Sequence, residues 1–568
     1  MKYLFLFFMI LSAYVRQGMS QPAQPNFLVV VLDDAEFSML EPYVPDFVLQ
    51  PGIDSIVSKG AIVQMHNVQS YCNPSRYSML TGLYPHNHGA TDNATPVNPE
   101  FTLLTKVLSN HDYHVAIDGK FTNTTHTKTM KGIERWWITL KDKYSNASFY
   151  DAAGTETIMT GHSTQIIHDT ATTWLNNLEP PFFLWVGEMV PHRKPVPTTA
   201  NKDVYEGEPI PMPATFYPFT IDYPSFLYYD DANFYDNADS ALLQESIQLN
   251  YECLNDLSDF LLNAIEILRT RGLLENTFII IVGDNGFMNG EHMIYGKNTP
   301  YNEAMRVPCF IRYAPWFTPG SVVDYTGFQS IDFAATILDA AGIDDPSFNI
   351  QSLGKSLKYL MEPGNERLIQ YFEKIKLVQA TEDEEDGVDS LSPSFRAVKS
   401  QSYKYIKYSC DSVTEELFDL TIDPLETTNQ VNNPFYATIA DEYRWKLDSL
   451  SIALDDTITG DTILRHCNLV STIATEVLPE PLTGDEIVLS PNPVNQSLNL
   501  KFATPLSTNN GTTLKVFNTI GELMLVKELS SASMLETSIS TILLPDGLYF
   551  LSLEGKTKAS LHPFVVKH

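Results

Sequence analysis

Cysteine is scarce in this 568-residue chain, which contains only five. So few cysteines do not make the disulfide framework of a small secreted domain, and their spacing matches no zinc-binding pattern. Cys410 and Cys467 could pair in an oxidising compartment. The sequence leaves the pairing of Cys253, Cys309, Cys410 and Cys467 open.

Long apolar runs are also missing after the N-terminus. Residues 3–13 are apolar, follow Lys2 and precede small residues at 18–20, which is typical of a secretory signal peptide over residues 1–20. This run is short for a membrane span, and no later stretch has the roughly eighteen apolar residues that a membrane helix needs. We therefore expect an exported protein with no membrane span.

Basic residues are outnumbered. The chain has 37 Lys and Arg against 69 Asp and Glu, a net charge of −32. This balance argues against a nucleic-acid partner, because phosphate binding needs a basic surface. An anionic ligand would therefore need a local group of cations.

Apolar, β-branched runs at residues 26–32 (NFLVVVL) and 278–282 (FIIIV) predict strands buried on both faces of a parallel sheet. Further strands and helices are predicted at residues 54–59, 102–110, 113–117, 163–178, 182–186, 246–270 and 330–341. Alternating strands and helices predict an α/β fold, with a large mixed, mostly parallel sheet flanked by helices.

Changes in composition divide the chain into units. Residues 21–365 form the predicted α/β domain, and residues 366–478 a smaller α+β subdomain with antiparallel strands that closes one side of the site. A linker at 479–485 precedes residues 486–568, whose short alternating strands predict a terminal all-β sandwich.

Hard oxygen donors follow the two main strands. Asp33 and Asp34 come directly after the first, and Asp284 with Asn285 follows the second. Ligands of open α/β sheets bind beyond the carboxyl ends of the strands. Carboxylate and amide oxygens are the ligands that Ca²⁺ or Mg²⁺ prefers, so two such pairs predict a metal site. One pair alone would more often belong to a turn or a helix cap.

Cys72 opens the run 72–76 (CNPSR), in which Pro74 can begin a helix and Arg76 lies one turn further on. A helix N-terminus favours a tetrahedral anion. The run is compatible with a nucleophile for a sulfate or phosphate ester, and also with a buried structural thiol.

Three further cations occupy similar positions in the sequence. Lys120 and His192 follow predicted strands, and Lys297 comes shortly after Asn285. Any one of them alone would more often be a solvated lysine or a hydrogen-bonded core histidine. Because they share this placement, we expect them to form a positive site together with Arg76.

The run 72–82 (CNPSRYSMLTG) resembles the signature of the type I sulfatases, and the other motifs follow in that family's order over about residues 25–470. The resemblance implies an alkaline-phosphatase-like fold and a maturation enzyme that oxidises Cys72 to Cα-formylglycine, whose hydrate is the nucleophile. The implied ligands of one Ca²⁺ are Asp33, Asp34, Cys72, Asp284 and Asn285.

The resemblance also implies roles for the cations. Arg76 would orient the formylglycine hydrate, and Lys120 and Lys297 would neutralise the sulfate oxygens. His192 would be the general acid for the leaving alcohol.

Residues 119–123 (GKFTN) depart from many sulfatases, which carry a histidine where Thr122 stands. This segment and the run 84–89 (YPHNHG) resemble the N-acetylglucosamine-6-sulfatases. The candidate substrate contacts are Asn123, His86 and His88, with His126 as a weaker substitute.

Segments 489–494 (LSPNPV), 516–518 (VFN) and 544–549 (LPDGLY) resemble the C-terminal sorting domain of the type IX secretion route of Bacteroidetes. This resemblance implies a secreted or cell-surface protein whose partner is the type IX secretion machinery. A small carbohydrate-binding sandwich is the alternative interpretation of this segment.

Together these resemblances imply a secreted, calcium-dependent sulfatase that acts on sulfated polysaccharide or oligosaccharide. Two alternatives stay open. One is a phosphonate monoester or phosphodiester hydrolase, because relatives with the same cysteine motif act on phosphorus. The other is a non-catalytic surface glycan-binding protein, which Thr122 slightly favours and the intact Cys72 and Arg76 argue against.

Overall fold

The computed structural model describes most of the chain. The described residues are 24–40, 42–123, 133–140, 143–216, 224, 240–375, 393–409, 414–456, 487–490, 494, 496–506, 512–518, 523–529, 534–542, 544–545, 547–554 and 559–567. The predicted signal peptide, the predicted linker, His126, Cys410 and Cys467 lie outside the described residues.

An eleven-stranded sheet organises residues 26–329. The strands of this region are β1 (Asn26–Leu32), β2 (Ala61–His66), β3 (His114–Lys120), β4 (Arg135–Thr139), β5 (Ser148–Asp151), β6 (Glu156–Ile158), β7 (Phe182–Gly187), β8 (Thr277–Gly283), β9 (Met288–Asn289), β10 (Tyr295–Gly296), β11 (Arg306–Val307), β12 (Cys309–Arg312) and β13 (Ser321–Gln329). The order is β11-β2-β12-β8-β1-β7-β3-β4-β5-β6, with β13 beside β2 and with β9 and β10 paired separately. Neighbours along β8-β1-β7-β3-β4 are parallel, which confirms the predicted mixed, mostly parallel sheet.

Helices cover both faces of this sheet. The helices are α1 (Pro51–Val57), α2 (Cys72–Thr81), α3 (Pro85–His88), α4 (Leu104–Asn110), α5 (Ser163–Asn177), α6 (Ser240–Thr270), α7 (Asn302–Met305), α8 (Phe333–Ala341), α9 (Pro346–Asn349), α10 (Leu357–Leu360) and α11 (Ala437–Ala453). Helices α1, α5 and α6 pack on one face, and α2, α4 and α8 on the other.

Strand β1 shows why the sheet is buried on both sides. Leu28 and Val30 belong to one apolar core, whereas Phe27, Val29 and Val31 belong to the core on the opposite face. Successive side chains of a strand point to opposite faces, so a continuous apolar run supplies both cores at once.

Strand β3 is longer than its sequence pattern predicts. Gly119 and Lys120, predicted to follow the strand, are its last residues. Gly119 pairs with Gly187 of β7, and a Cβ atom on Gly119 would lie 2.1 Å from the Gly187 carbonyl oxygen. Because neither glycine has a side chain, the backbones of β3 and β7 can approach closely at this pair. Strand β3 therefore continues to Lys120 at the carboxyl end of the sheet.

The C-terminal part is built from antiparallel sheets. Strands β14 (Gln370–Lys374), β15 (Phe395–Lys399), β16 (Tyr403–Tyr408) and β17 (Thr414–Asp419) form one sheet in that order, with α11 packed against it. The remaining strands are β18 (Ile487–Ser490), β19 (Ser497–Leu506), β20 (Thr512–Asn518), β21 (Leu523–Leu529), β22 (Met534–Ser540), β23 (Gly547–Glu554) and β24 (Ala559–Val566). They form two all-β sheets, β18-β19-β22 and β21-β20-β23-β24.

Among the described residues, no helix is long and apolar enough to cross a lipid bilayer.

Candidate active site

The ends of β1 and β8 place the predicted oxygen donors side by side. Leu32 pairs with Gly283 at the last position of the parallel ladder, so Asp33 and Asp284 leave the sheet as neighbours. The Asp284 N–H donates to the Leu32 carbonyl at 2.9 Å, and the Asp34 N–H donates to Asp284 Oδ1 at 3.3 Å. The register of the sheet therefore assembles this acidic group.

Cys72 is the first residue of α2 and contacts the acidic group. Its thiol donates to Asp33 Oδ1 at 3.2 Å, and Lys297 Nζ donates to its Sγ at 2.8 Å. Burial, followed by repulsion from Asp33, raises the pKa of the Cys72 thiol well above its usual range. Since the thiolate is the reactive form of cysteine, the unmodified side chain is a weak nucleophile at neutral pH.

The four predicted cations all lie beside carboxylates of this group. Their side chains are buried, so this local group of cations is internal and lies among carboxylates. The pairs are Lys120 with Asp33 (2.5 Å), Lys297 with Asp34 (2.5 Å), Arg76 with Asp284 (2.7 Å) and His192 with Asp34 (3.6 Å).

The acidic group fits a hard divalent cation. One potential ligand atom from each of Asp33, Asp34, Cys72 and Asp284 lies within 4.8 Å of the others. Asp34 Oδ2 and Asn285 Oδ1 are buried and accept no hydrogen bond. Burial raises the pKa of Asp284 to about 6, although Arg76 opposes the shift. A divalent cation would reverse that shift and use the two oxygens, which are ligands of the type that Ca²⁺ or Mg²⁺ prefers.

Asn123 and His88, two of the predicted substrate contacts, lie in different surroundings. Asn123 is half-buried, and its N–H donates to Asn73 Oδ1 at 3.1 Å. His88 is fully buried, with its ring nitrogens 3.1 Å from Ser78 Oγ and from the Ala90 backbone nitrogen. Substrate contact by either residue stays a prediction.

His86, the third predicted contact, joins α3 to the C-terminal sheet. Its Nδ1 lies 2.5 Å from Glu373 Oε2, and its Nε2 lies 3.0 Å from the Leu454 carbonyl oxygen. Arg396 pairs with Asp456 and lies 4.0 Å from Glu373. Both ring nitrogens are thus engaged within the protein, and contact with substrate stays a prediction. Sequence reasoning missed this network because Glu373 is 287 residues away from His86.

The contact between His86 and Glu373 predicts a pH-dependent stability. Burial lowers the pKa of His86, but the Glu373 carboxylate outweighs it and raises the pKa above its ordinary value of 6.5. The resulting stabilisation is complete below that value and is lost as the pH rises through the folded-state pKa. We expect His86→Gln to lower the free energy of unfolding by about 1–3 kcal/mol at about pH 6, and by less at about pH 9. Urea denaturation at the two pH values measures the difference.

The matched control is His114→Gln. His114 pairs with Glu134, but their side chains are 40% and 45% exposed, so water screens the pair. This variant should change stability little at either pH. An equal loss for His86→Gln at both pH values would mean that its ion pair does not stabilise the protein.

Asn67 is a site residue that the sequence did not reveal. It directly follows β2, and its Nδ2 donates to the carbonyl oxygens of Gly283 (3.3 Å) and Asp284 (2.5 Å). It therefore fixes the backbone from which Asp284 projects. A polar residue after a strand is the signal that identified Asp33 and Asp284, but β2 is not among the predicted strands.

A cavity of about 660 Å³ opens among the loops that continue from the acidic group. Its lining includes Glu36 from the loop after β1, Glu291 from the loop after β8, and Tyr251 and Arg306 from the surrounding elements. This volume lies in the range of pockets that hold small organic ligands.

Comparisons with known proteins agree with this architecture. The Sulfatase family matches residues 25–343, more than half of the chain. The description "N-sulphoglucosamine sulphohydrolase, C-terminal" matches residues 290–453, and "Secretion system C-terminal sorting domain" matches residues 489–567.

Individual relatives have low sequence identity to this chain, but the alignments cover most of it. An N-acetylglucosamine-6-O-sulfatase of Bacteroides thetaiotaomicron is 25% identical over 484 residues, 73% of this chain and 84% of that protein. A ulvan-active sulfatase of Formosa agariphila is 24% identical over 503 residues, 84% of this chain and 91% of that protein. A solved structure in complex with its substrate, D-glucosamine-2-N,6-O-disulfate, has a TM-score of 0.67 at 23% identity and covers 77% of this chain and 99% of its own.

The large mixed sheet and its flanking helices define an alkaline-phosphatase-like hydrolase fold, followed by C-terminal all-β sheets. The extent of the match to the Sulfatase family then identifies the reaction class. The chain belongs to the sulfatase family and is a sulfuric ester hydrolase with a C-terminal secretion sorting domain.

Proposed function

We propose that this sulfatase hydrolyses sulfate esters of carbohydrates outside the cell, with a formylglycine formed from Cys72 and one bound Ca²⁺. The observation that carries the proposal is the position of Cys72 at the start of α2, where Sγ contacts both Asp33 and Lys297. A nucleophile at this position is adjacent to the acidic group and to a cation suited to a sulfate oxygen.

The Sγ atom of Cys72 stands where the hydrate oxygens of formylglycine would lie. Conversion by a formylglycine-generating maturation enzyme would explain why the motif is built around a thiol whose pKa burial raises. The hydrated aldehyde supplies an oxygen nucleophile more acidic than a serine hydroxyl. Arg76, held by its hydrogen bond to Asp284, would orient that group.

The residues that would hold Ca²⁺ are Asp33, Asp34, Asp284 and Asn285, with the modified residue 72 as a further ligand. The ion would supply Lewis-acid stabilisation of negative charge at the reacting oxygens. The buried Asp34 Oδ2 and Asn285 Oδ1, which accept no hydrogen bond, support this assignment.

The cations would have two roles, binding of the sulfate group and protonation of the leaving alcohol. Lys120 and Lys297 would neutralise the sulfate oxygens, where negative charge is spread in the transition state. His192 would donate a proton to the leaving alcohol. Its backbone is fixed for this purpose, because its N–H donates to the Met189 carbonyl at 2.9 Å and its carbonyl accepts from the Tyr144 hydroxyl at 3.0 Å.

Carbohydrate is the substrate class that the comparisons support. The two relatives named above act on N-acetylglucosamine 6-O-sulfate groups and on ulvan by their descriptions, and both cover more than 70% of this chain. The cavity formed by the loops that continue from β1 and β8 offers room and hydrogen-bonding side chains for a sugar. The C-terminal sorting domain supports export through the type IX machinery. In this proposal the predicted signal peptide at residues 1–20 directs the chain across the inner membrane first.

Calcium removal provides the direct test. The protein, made with a formylglycine-generating enzyme, should release inorganic sulfate from a panel of sulfated glycans. Chelation with EGTA should lower the rate at least about 100-fold, because Lewis-acid stabilisation contributes several kcal/mol. Added Ca²⁺ should restore the rate and raise the melting temperature, since an ion that binds only the folded state stabilises it.

Mass spectrometry of the peptide that contains residue 72 provides the control for maturation. Failure to release sulfate from any glycan or aryl sulfate, despite complete conversion of Cys72, would contradict the proposed function. Faster hydrolysis of an aryl phosphonate than of the matched aryl sulfate would favour the phosphonate monoester alternative instead.

A further inference from the structure

Asn73, the residue after Cys72, connects three segments through its side-chain amide. Its Nδ2 donates to the carbonyl oxygens of Asp92 (3.1 Å) and Thr95 (3.0 Å), and its Oδ1 accepts from the Asn123 N–H (3.1 Å). The side chain is fully buried. Both donors and one acceptor position of the amide are thus used, so no other residue of this size could replace it fully.

The loop 92–95, whose carbonyl oxygens accept the hydrogen bonds of Asn73, has further hydrogen bonds of its own. Asp92 Oδ1 accepts from the backbone N–H groups of Ala94 (2.9 Å) and Thr95 (2.6 Å). Asn93 Oδ1 accepts from the Asn73 N–H at 3.1 Å. The loop 92–95 is therefore a fixed platform for the start of α2, and Asn73 is attached to it through both its backbone and its side chain.

Helix α2 contacts both ends of residues 120–123, the segment that carries Lys120 and Asn123. Arg76 donates through Nη1 to the Lys120 carbonyl oxygen, and Asn73 accepts from the Asn123 N–H. Asn73 and Arg76 are three positions apart, so they lie on the same side of the helix. The nucleophile and residues 120–123 are thus joined as one unit.

We propose that Asn73 is a positioning residue that sets substrate selectivity by fixing Asn123 relative to the nucleophile at position 72. The inference rests on the proposed function, in which Lys120 contacts the sulfate, and on the sequence-based prediction that Asn123 contacts the sugar. Lys120 is also held by Asp33 and by Arg76. Loss of the Asn73 amide should therefore disturb sugar recognition more than sulfate recognition.

The kinetic test compares two substrates of Asn73→Ala. For N-acetylglucosamine 6-sulfate, or for the best sulfated sugar of the panel, KM should rise about tenfold while kcat changes less than about twofold, because one hydrogen-bonded contact is lost. For 4-nitrophenyl sulfate, which has no sugar, KM and kcat should both stay within about twofold. Rates are divided by the formylglycine content measured by mass spectrometry.

Asn26→Ala is the matched control. Asn26 is a buried asparagine at the start of β1, at the edge of the sheet opposite the acidic group, where its Oδ1 accepts from the Phe182 N–H at 3.2 Å and its Nδ2 donates to Thr277 Oγ1 at 3.4 Å. It should show no difference between the two substrates. A purely structural loss in Asn73→Ala would reduce the active fraction and lower kcat equally for both substrates, and that result would overturn the proposal.

Hydrogen exchange separates this inference from the proposed function, because it needs no activity. The Asn123 amide should exchange faster in Asn73→Ala than in the wild type, and it should keep its protection in the control Asn26→Ala. Unchanged exchange at Asn123 in Asn73→Ala would refute the positioning role. A wild-type enzyme that hydrolyses neither substrate would refute the proposed function and leave the exchange result to decide the role of Asn73.

Discussion

Replacing Cys72 with alanine is expected to abolish sulfate release while the fold is retained. The substitution removes one buried sulfur atom at the first position of α2 and leaves Arg76, Lys120 and Lys297 unchanged. Loss of the nucleophile should lower kcat by roughly 10⁴-fold or more, as for other enzymes with covalent catalysis. Sulfate release, measured by ion chromatography on equal amounts of folded protein, gives the result.

Cys309→Ala is the control for this experiment. Cys309 lies in β12, is as deeply buried as Cys72, and pairs with Val282 of β8, two residues before Asp284; burial alone raises the pKa of its thiol. It should lose some stability through the small cavity that it creates but keep its kcat. Sulfate release by Cys72→Ala at the wild-type rate would contradict both the assigned nucleophile and its maturation.

Arg76→Met is expected to cause the largest loss of stability. Arg76 and Asp284 form an ion pair with both side chains at 0% exposure. Removing one partner leaves the Asp284 carboxylate buried without its ion-pair partner, which typically costs about 3–5 kcal/mol. The Lys120 carbonyl also loses a donor. Urea denaturation in the presence of chelator measures the change without stabilisation by a bound ion.

A surface ion pair and a double variant complete the comparison. Arg444 pairs with Glu415 and Asp441 but is 38% exposed, so Arg444→Met should cost no more than about 1 kcal/mol. Adding Asp284→Asn to Arg76→Met should recover part of the loss, because the uncompensated charge is removed. Equal losses for Arg76→Met and Arg444→Met would show that the buried pair does not carry this energy.

The acidic group was predictable because its signal is local. An apolar β-branched run followed by polar residues marks the end of a buried strand, and the sheet then brings separate strand ends together. Asp33 and Asp284 are 251 positions apart, yet each is identified from fewer than ten neighbouring residues. The family resemblance added the order of the motifs, which local patterns alone do not provide.

Other features depend on contacts that no local pattern contains. The extension of β3 to Lys120 needs Gly187 opposite Gly119, a pairing between two different strands. The partner of His86 lies in β14, so proximity to the cysteine motif in sequence was a poor guide to its contacts. The sequence does not indicate what the Asn73 amide contacts, and only its hydrogen bonds to the loop 92–95 show its role.

The internal location of the cations has a consequence for the rate of encounter with a polyanion. Arg76, Lys120 and Lys297 are at most 8% exposed, whereas the chain carries a net charge of −32. The net charge therefore repels a sulfated polymer, the substrate of the proposed function, at long range before the polymer reaches these buried cations. Salt shortens the reach of that repulsion to about 10 Å at 0.1 M, while buried pairs are screened far less. Association with such a polymer should accordingly become faster as ionic strength rises, the reverse of ordinary electrostatic steering.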